Sequence, residues 1–375
     1  MKDASIQWAD STINPVMGCD GCPLYPSLTK VKSQLTDWLI RQGIADPKTS
    51  IEEILGNSPL SHIYHLYKEF SGKLCRKLNR PDLLSDLTRE LRRPVRCYAA
   101  SLHMVRGENP RNPTKKLNAG YARIFEEVAL YPGRTQAAAK WSDLTGKPRP
   151  EAPWKDGLPR MIFISDMGDA LSSSIPFEFL LKEIVEVAAS SNGSRHLWLW
   201  LSKRPARMLK FDRWLEARGI PWPDNLVAMT SVMDRKMEPG IKALKKIRAK
   251  AKGLSVEPLV EAVTLDLEGI DWVIVGGESG TSALPFHLDW ARDIQKQCSE
   301  SGTAFFMKQL GRFPIECGVG LLLDDKHGGD WSEWPEDLRV REFPLRFRSR
   351  ESSLAVSVSP EKAIPRSQLS RPHLS

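Results

Sequence analysis

Three cysteines are the residues of this 375-residue sequence that are best suited to chemistry. Cys19 and Cys22 are separated by two residues in a loop rich in Gly, Pro and Asp, and Cys97 follows much later in the chain. A Cys-x2-Cys pair on its own is as compatible with a zinc or iron–sulfur site as with two incidental loop cysteines. Structural zinc usually needs a second such pair, and the sequence has no other Cys-x2-Cys and no His-x3-His. Three thiolates suit a cubane iron–sulfur cluster with one open iron, so we predict that these three cysteines bind metal.

The other three cysteines give less reason to expect a ligand role. Cys75 follows a stripe of apolar residues at helical spacing, so a buried core thiol is the favoured interpretation and a ligand role the minor one. Cys298 shares a predicted helical face with Ala291 and Ile294, which also favours burial. Cys317 lies in a loop beside glycine, and its surroundings in the sequence favour neither role.

Short apolar runs alternate with helical patterns from residue 161 onward. The runs are residues 161–164, 197–201, 226–229, 254–256, 272–275 and 304–307. Uninterrupted apolar strands that are joined by helices indicate a parallel sheet with both faces covered. Together with a first strand near the cysteine loop, they predict an α/β fold, a full or partial (β/α) barrel of about six or seven parallel strands. An open doubly wound sheet is the alternative.

Polar or glycine residues follow every one of these strands. The candidates at the strand ends are Asp166, Ser202, Lys203, Ser231, Glu257, Gly276, Gly277, Glu278 and Lys308. Because the C-terminal ends of parallel strands build the active sites of barrel enzymes, we predict an enzyme-like pocket there, without a defined reaction. The Gly-Gly-Glu element at residues 276–278 lacks the complete dinucleotide fingerprint, so we expect no Rossmann-type cofactor.

The charged candidates also have plain structural interpretations. Asp166 and Asp169 are candidates for acid–base chemistry or for capping the next turn. Lys203 and Arg204 are candidates for binding a carboxylate or phosphate, or for the solvated start of a helix. Glu257 is equally compatible with a pocket carboxylate and with a loop salt bridge.

Composition and patterning divide the chain into five predicted segments. They are a first strand and cysteine loop (1–22), a helical insertion (23–96), the barrel body (97–311), a C-terminal extension that caps the barrel (312–346) and a disordered tail rich in Ser, Arg and Pro (347–375). In the insertion, we predict one helix that begins near Leu28 and another after a capping box of Ser50 and Glu53. In the body, we predict helices at residues 121–130 and about 176–190.

Charge and hydropathy limit the partners. The formal net charge is +8, but half of this excess lies in residues 341–375, so charge leaves a nucleic-acid partner open without identifying one. No apolar run of about 18 residues predicts a membrane span, and the first residues lack the apolar core of a secretory signal. We therefore expect a cytoplasmic protein without membrane contact, whose six cysteines are ligands, catalysts or core residues rather than disulfides.

The motifs, taken together, resemble those of a known family. They lie at residues 8–10, 14–19, 97–99, 163–169, 201–205, 254–259, 271–280 and 305–309, in the family's order over most of residues 5–311. The family is a phage- and prophage-associated group of uncharacterised proteins with a three-cysteine motif, and it is similar to a divergent branch of the radical S-adenosylmethionine superfamily. Typical members of that superfamily place three cysteines in one C-x3-C-x2-C loop and a Gly-Gly-Glu element after an early strand. Here Cys97 is far from the pair and the Gly-Gly-Glu element follows a late strand, so the insertion must fold out and return Cys97 to the other cysteines.

The resemblance implies a cofactor and a reaction. Cys19, Cys22 and Cys97 would ligate three irons of a [4Fe-4S] cluster, and the fourth iron would chelate the amino and carboxylate groups of S-adenosylmethionine. One-electron reduction would then yield methionine and a 5′-deoxyadenosyl radical, which abstracts hydrogen from a substrate. Our candidates for S-adenosylmethionine binding are Ser202, Ser231, Gly276, Gly277, Glu278 and Lys308, and our catalytic candidates are Asp166, Lys203 and Glu257.

The resemblance also implies partners. They are an electron donor such as flavodoxin or ferredoxin and a co-encoded partner protein, and the phage context makes nucleic-acid modification or repair our substrate hypothesis. Two other functions are compatible with the residues themselves. One is a non-catalytic zinc or nucleic-acid binding protein with Cys75 or His103 as a fourth zinc ligand. The other is a cluster-free (β/α) barrel hydrolase or transferase, whose activity would not depend on Cys19 or Cys97.

Overall fold

The protein forms an α/β half-barrel in a computed structural model. The residues that the structure describes are 6–348, apart from 23, 26, 47, 50, 56–62, 64–66, 92–96, 107–120, 122–124 and 281–282. The predicted capping residue Ser50 and the predicted tail beyond residue 348 therefore lie outside the described residues. Within the described residues, no helix has the length and apolar character needed to span a membrane.

Seven parallel strands form the curled central sheet. They are β1 (Ser11–Ile13), β2 (Arg160–Ile164), β3 (His196–Ser202), β4 (Leu226–Ser231), β5 (Lys252–Val256), β6 (Trp272–Gly276) and β7 (Ala304–Gln309). Their order in the sheet is their order along the chain, and every neighbouring pair is parallel. A doubly wound sheet would reverse the order at a switch point. The observed order therefore confirms the predicted partial barrel and excludes the doubly wound alternative.

Alternate side chains of each strand face opposite sides of the sheet. On β3, Trp198 and Trp200 pack in the large core that includes the outer helices, whereas Leu199 belongs to a separate apolar cluster inside the half-barrel. Trp8, from the lead to β1, joins this inner cluster, and its ring centroid lies 4.8 Å from that of Phe163. The half-barrel therefore has an apolar floor, above which the polar strand ends follow.

The insertion forms a second, smaller core. Its helices are α1 (Leu28–Arg41), α2 (Ile51–Leu55), α3 (Tyr67–Lys77) and α4 (Leu84–Leu91). The predicted apolar stripe of α1 is buried at Val31, Leu35 and Leu39. Cys75 on α3 is buried in the same core, which confirms the prediction of a core thiol.

The remaining helices follow the insertion in the chain. They are α5 (Tyr98–Arg106), α6 (Arg134–Ala139), α7 (Phe177–Leu180), α8 (Glu186–Ala189), α9 (Pro205–Glu216), α10 (Pro239–Lys245) and α11 (Leu288–Ser301). A π-helical turn, Leu181–Val185, joins α7 and α8, so the predicted helix at about 176–190 is confirmed. Cys298 on α11 is fully buried, as predicted.

The predicted helix at residues 121–130 is wrong. Ala129–Leu130 is instead a short strand that pairs antiparallel with Val16–Met17. Just before it, the carbonyl oxygen of Phe125 accepts the N–H of Cys19 at 2.8 Å. Pairing with the cysteine loop therefore overrides the local helical pattern, as tertiary contacts often do.

The C-terminal extension covers the free edge of β7. The Met307 N–H donates to the Val340 carbonyl at 2.8 Å. Phe347 is buried against Trp272, with 5.5 Å between the ring centroids. Ordered chain therefore continues past residue 346, where the sequence predicted the extension to end.

A buried ionic group fixes the lead to β1. The Asp10 carboxylate lies 3.0 Å from Nε of Arg149 and 3.3 Å from Nζ of Lys155, and all three side chains are at most 9% exposed. Asp10→Ala is expected to lower the free energy of unfolding by about 3–5 kcal/mol, because both cations would stay buried without this carboxylate. Asp224→Ala, which removes an exposed partner of Lys250, should cost only about 0–1 kcal/mol. Urea unfolding measures both, and equal losses would show that the buried group does not hold the lead in place.

Candidate functional site

The cysteine loop lies across the C-terminal end of β2. The side-chain amide of Asn14 holds the loop there with two hydrogen bonds. Its Nδ2 donates to the Asp166 carboxylate at 2.5 Å, and its Oδ1 accepts the backbone N–H of Met167 at 2.9 Å. Burial raises the pKa of Asp166 above its ordinary value. Gly18 has a φ of +82°, and a Cβ there would lie 2.1 Å from the Glu127 carbonyl oxygen. Only glycine fits this position, so the turn into the cysteines is fixed by its residue type.

Backbone contacts fix the two cysteines of the loop. Cys22 and Tyr25 exchange two backbone hydrogen bonds, of 2.8 and 3.1 Å. Gly21 has a φ of +101°, and a Cβ there would lie 2.4 Å from the backbone nitrogen of Ser27. Cys19 is only 7% exposed, and Cys22 is more accessible. The two thiols therefore occupy defined positions, one of them almost buried.

Cys97 lies at the start of α5, where the N-terminus of a helix favours a thiolate. Its Sγ accepts the Ala100 N–H at 3.4 Å. Burial raises the pKa of Cys97 above its ordinary value, while the Ala100 N–H and the charge of Lys203 oppose the rise. The Tyr98 hydroxyl donates to the backbone oxygen of Asp166, which ties the start of α5 to the end of β2. The chain after the insertion therefore returns Cys97 to the mouth of the half-barrel.

The three predicted metal ligands act on one another electrostatically. Burial, followed by the charges of Cys22, Asp169 and Cys97, raises the pKa of Cys19 to about 12. Cys19 and Cys97, which come from two distant parts of the sequence, both pack in the core of the insertion. Within the part of the chain that the structure describes, no three His, Cys, Asp or Glu side chains gather as the ligands of a single metal ion do.

A zinc ion and a cubane cluster require different spacings of their ligands. All the ligands of a zinc ion lie within about 2.0–2.3 Å of one atom, whereas a cubane gives each thiolate its own iron and spans a wider site. The two candidates for a fourth zinc ligand lie in apolar surroundings. Cys75 is in the core of the insertion, and the buried His103 ring lies 5.7 Å from that of Phe125 between centroids. Which kind of metal group the three cysteines bind stays a prediction.

Asp169 is the polar centre of the loop after β2. Its carboxylate accepts the Ser202 hydroxyl at 2.9 Å, the Leu171 N–H at 2.9 Å and the Lys203 N–H at 3.3 Å. Burial raises the pKa of Asp169 in spite of these hydrogen bonds. The sequence predicts a cofactor contact for Ser202, but its hydroxyl is used here to join the ends of β2 and β3.

A second polar group lies at the ends of β5 and β7. Lys308 Nζ lies 2.9 Å from Oε1 of Glu257, and the Ser255 hydroxyl donates to Oε2 of the same carboxylate at 3.2 Å. The ion pair spans β6 at Gly276, where a Cβ would lie 3.1 Å from the Glu257 carboxylate. At the end of β4, Ser231 is 2% exposed, and its hydroxyl has no hydrogen-bond partner among the described residues. These residues share the cysteines' end of the sheet, because all seven strands are parallel.

The Gly-Gly-Glu element has structural contacts of its own. A Cβ at Gly277 would lie 2.4 Å from the Leu310 carbonyl oxygen, so close packing of the loops after β6 and β7 requires glycine there. Glu278 Oε2 accepts the Leu284 N–H at 3.0 Å. These contacts account for both residue types without a ligand, and the predicted contact of this element with S-adenosylmethionine stays a prediction.

Asn14 and Tyr98 are site residues that the sequence analysis placed in the family's motifs without assigning them a role. Asn14 directly follows β1, so the rule that polar strand ends line the pocket applies to it as well. Tyr98 carries no comparable signal, because its role depends on a contact with Asp166, which is distant in the sequence.

Comparisons with known proteins identify a family but no activity. A family model described as a protein of unknown function, DUF5131, matches residues 94–340, more than half of the chain. The matched region includes Cys97 and strands β2–β7, and it begins after Cys19 and Cys22. No curated protein matches the chain, and no solved structure matches it.

Proposed function

We propose that this chain, which belongs to the DUF5131 family of proteins of unknown function, is a radical S-adenosylmethionine enzyme. One observation carries the proposal: the loop of Cys19 and Cys22 and the helix that begins after Cys97 are both tied to Asp166, through Asn14 and Tyr98, at the mouth of a partial (β/α) barrel. The motif resemblance gives this arrangement its chemical interpretation. The family description itself assigns no function.

The donor set fits a [4Fe-4S] cluster. A buried thiol such as Cys19, with its pKa raised to about 12, stays protonated unless a cation beside it stabilises the thiolate, and cluster iron supplies that charge. Cys97 already has a helix N-terminus and the charge of Lys203 to stabilise its thiolate. Three cysteines leave the fourth iron free to hold S-adenosylmethionine.

In this proposal, the residues of the chain bind and orient the cofactor and the substrate and shield them from water. When bound, the reduced cluster supplies the electron that cleaves S-adenosylmethionine into methionine and a 5′-deoxyadenosyl radical, which takes a hydrogen atom from the substrate. The apolar floor around Phe163 and Trp272 keeps water away from the strand ends. Glu257 and Lys308 offer an acceptor and a donor, and Ser231 offers a hydroxyl, to the polar groups of cofactor and substrate.

The substrate and the partners remain part of the proposal. The resemblance supports nucleic acid as the substrate class, a flavodoxin or ferredoxin as the electron donor, a co-encoded partner protein and a cytoplasmic location. Several cations of the basic run at residues 242–252 are paired with acids and so do not argue for a nucleic-acid surface. Lys245 lies 2.7 Å from Asp266, and Arg248 lies 2.9 Å from Asp212.

Anaerobic reconstitution tests the proposed function. We expect the full chain, given iron and sulfide, to become a brown protein with about four irons. With dithionite and S-adenosylmethionine it should then form 5′-deoxyadenosine. Cys298→Ala, which alters a thiol buried in α11, should do the same and serves as the control.

Other outcomes would support the other functions. A colourless protein that holds one zinc ion would replace the enzyme with a zinc-binding protein. An iron-free protein with an activity that survives both Cys19→Ala and Cys97→Ala would indicate a hydrolase or transferase on the same fold.

A further inference from the structure

Arg204 joins the cysteine loop to the barrel. It follows β3, and its Nη2 donates to the Asp20 carboxylate and, at 2.5 Å, to the backbone oxygen of Gly21. Asp20 and Gly21 are the two residues between Cys19 and Cys22. One guanidinium therefore holds the whole segment that separates the two thiols.

The same group is anchored on the side of the sheet. Arg204 Nε lies 3.8 Å from Oδ2 of Asp169, and that carboxylate accepts the hydroxyl of Ser202 on β3 at 2.9 Å. Asp20 is also held by Ser173, whose backbone N–H donates to it at 2.6 Å. The Asp20 carboxylate therefore pairs with Arg204 on one side and accepts from Ser173 on the other.

We propose that Arg204 is a positioning residue for the metal-binding thiols, because it fixes the loop between Cys19 and Cys22 relative to Cys97. This inference rests on the proposed function and adds to it. It also changes the interpretation of Arg204, which the sequence made a candidate for binding a ligand anion, since its guanidinium is engaged within the protein.

The charge of Arg204 gives the role a second consequence. A cation near a cluster stabilises the extra negative charge that reduction adds, so it makes the cluster easier to reduce. The role of Arg204 can therefore be tested in two separate ways, by the accessibility of the thiols and by the reduction potential of the cluster.

The first test uses the metal-free full chain and a thiol-alkylating reagent, with rates at individual cysteines read by mass spectrometry. Arg204→Gln should raise the rate at Cys19 by at least about tenfold, equivalent to about 1.4 kcal/mol of local opening. The rate at Cys298, buried in α11, should not change. Arg207→Gln is the matched control, because Arg207 lies on α9, three residues after Arg204, but donates to the Ile175 oxygen. An unchanged Cys19 rate would overturn the proposal, and so would an equal rise at Cys298, which reports global unfolding.

The second test uses the reconstituted protein and reads the reduction potential. Arg204→Gln should shift the potential to a more negative value. Arg204→Lys, which keeps the charge, should have a potential close to that of the wild-type protein. A purely structural residue would change iron loading without this pattern, so an equal potential in all three proteins would overturn the electrostatic part of the role.

The two tests separate this inference from the proposed function. If the wild-type chain binds no iron but Arg204→Gln still exposes Cys19, the proposed function fails and the positioning of the loop stands. If the wild-type chain binds about four irons and Arg204→Gln changes neither the Cys19 rate nor the potential, the positioning role fails and the function stands.

Discussion

Replacing Cys97 with alanine is expected to prevent assembly of the proposed iron cluster and, with it, the proposed cleavage of S-adenosylmethionine. A residue that only orients a metal ligand typically contributes ten- to a hundredfold to affinity or activity. Loss of a direct ligand should therefore lower activity by more than about a hundredfold. The measurements are iron per chain after anaerobic reconstitution and the rate of 5′-deoxyadenosine formation.

Cys75→Ala is the matched control for this variant. Cys75 is also a free, buried cysteine, but it lies in the core of the insertion on α3. Its replacement should leave iron loading intact and lower only the stability of that core, because it removes a few packed atoms. The reverse result, in which Cys75→Ala loses iron and Cys97→Ala keeps it, would exclude the three-cysteine site.

The parallel sheet could be predicted because both of its faces are covered. All six apolar runs from residue 161 onward are strands, and each observed strand is one or two residues longer than its run. In such a sheet the apolar side chains run without interruption, so the strand itself is visible in the sequence. The added residues include Ser202 and Ser231, whose polarity hid them from that criterion.

The side of the sheet to which a residue at a strand end points could be predicted only with one further step. Ser202 is the last residue of β3 and continues the side of Trp198, and its hydroxyl donates to Asp169. The two-residue period of the strand is present in the sequence and would have placed Ser202 on that side. Lys203 lies beyond the end of the strand, so the same period does not fix the direction of its side chain.

The placement of Cys97 at the end of β2 follows from no local pattern. It depends on the bond from Tyr98 to Asp166, two residues far apart in the chain. The wrong helix at 121–130 has the same origin, since Phe125 bonds Cys19 instead of continuing a helix. Local periodicity in the sequence therefore predicts the strands of the sheet, whereas the assembly of the site depends on contacts between distant segments.

Removing one partner of the Glu257–Lys308 ion pair should have the second large effect. Lys308→Met would leave the Glu257 side chain, which is 11% exposed, without the cation 2.9 Å away. We expect a loss of about 3 kcal/mol in the free energy of unfolding, because a mostly buried charge would be unpaired. Formation of 5′-deoxyadenosine should also fall, since the pocket would lose its donor between β5 and β7.

The double variant Glu257→Gln with Lys308→Met separates stability from function. It removes both charges, so most of the lost stability should return, because no buried charge is left unpaired. Formation of 5′-deoxyadenosine should stay at least about tenfold low, because the charged donor and acceptor at the strand ends are gone. The exposed pair Lys245–Asp266 gives the matched control. Replacing Lys245 with methionine should lower the free energy of unfolding by no more than about 1 kcal/mol. If activity instead returned together with stability, the Glu257–Lys308 pair would support only the fold, and the pocket would have to be sought nearer the cysteines.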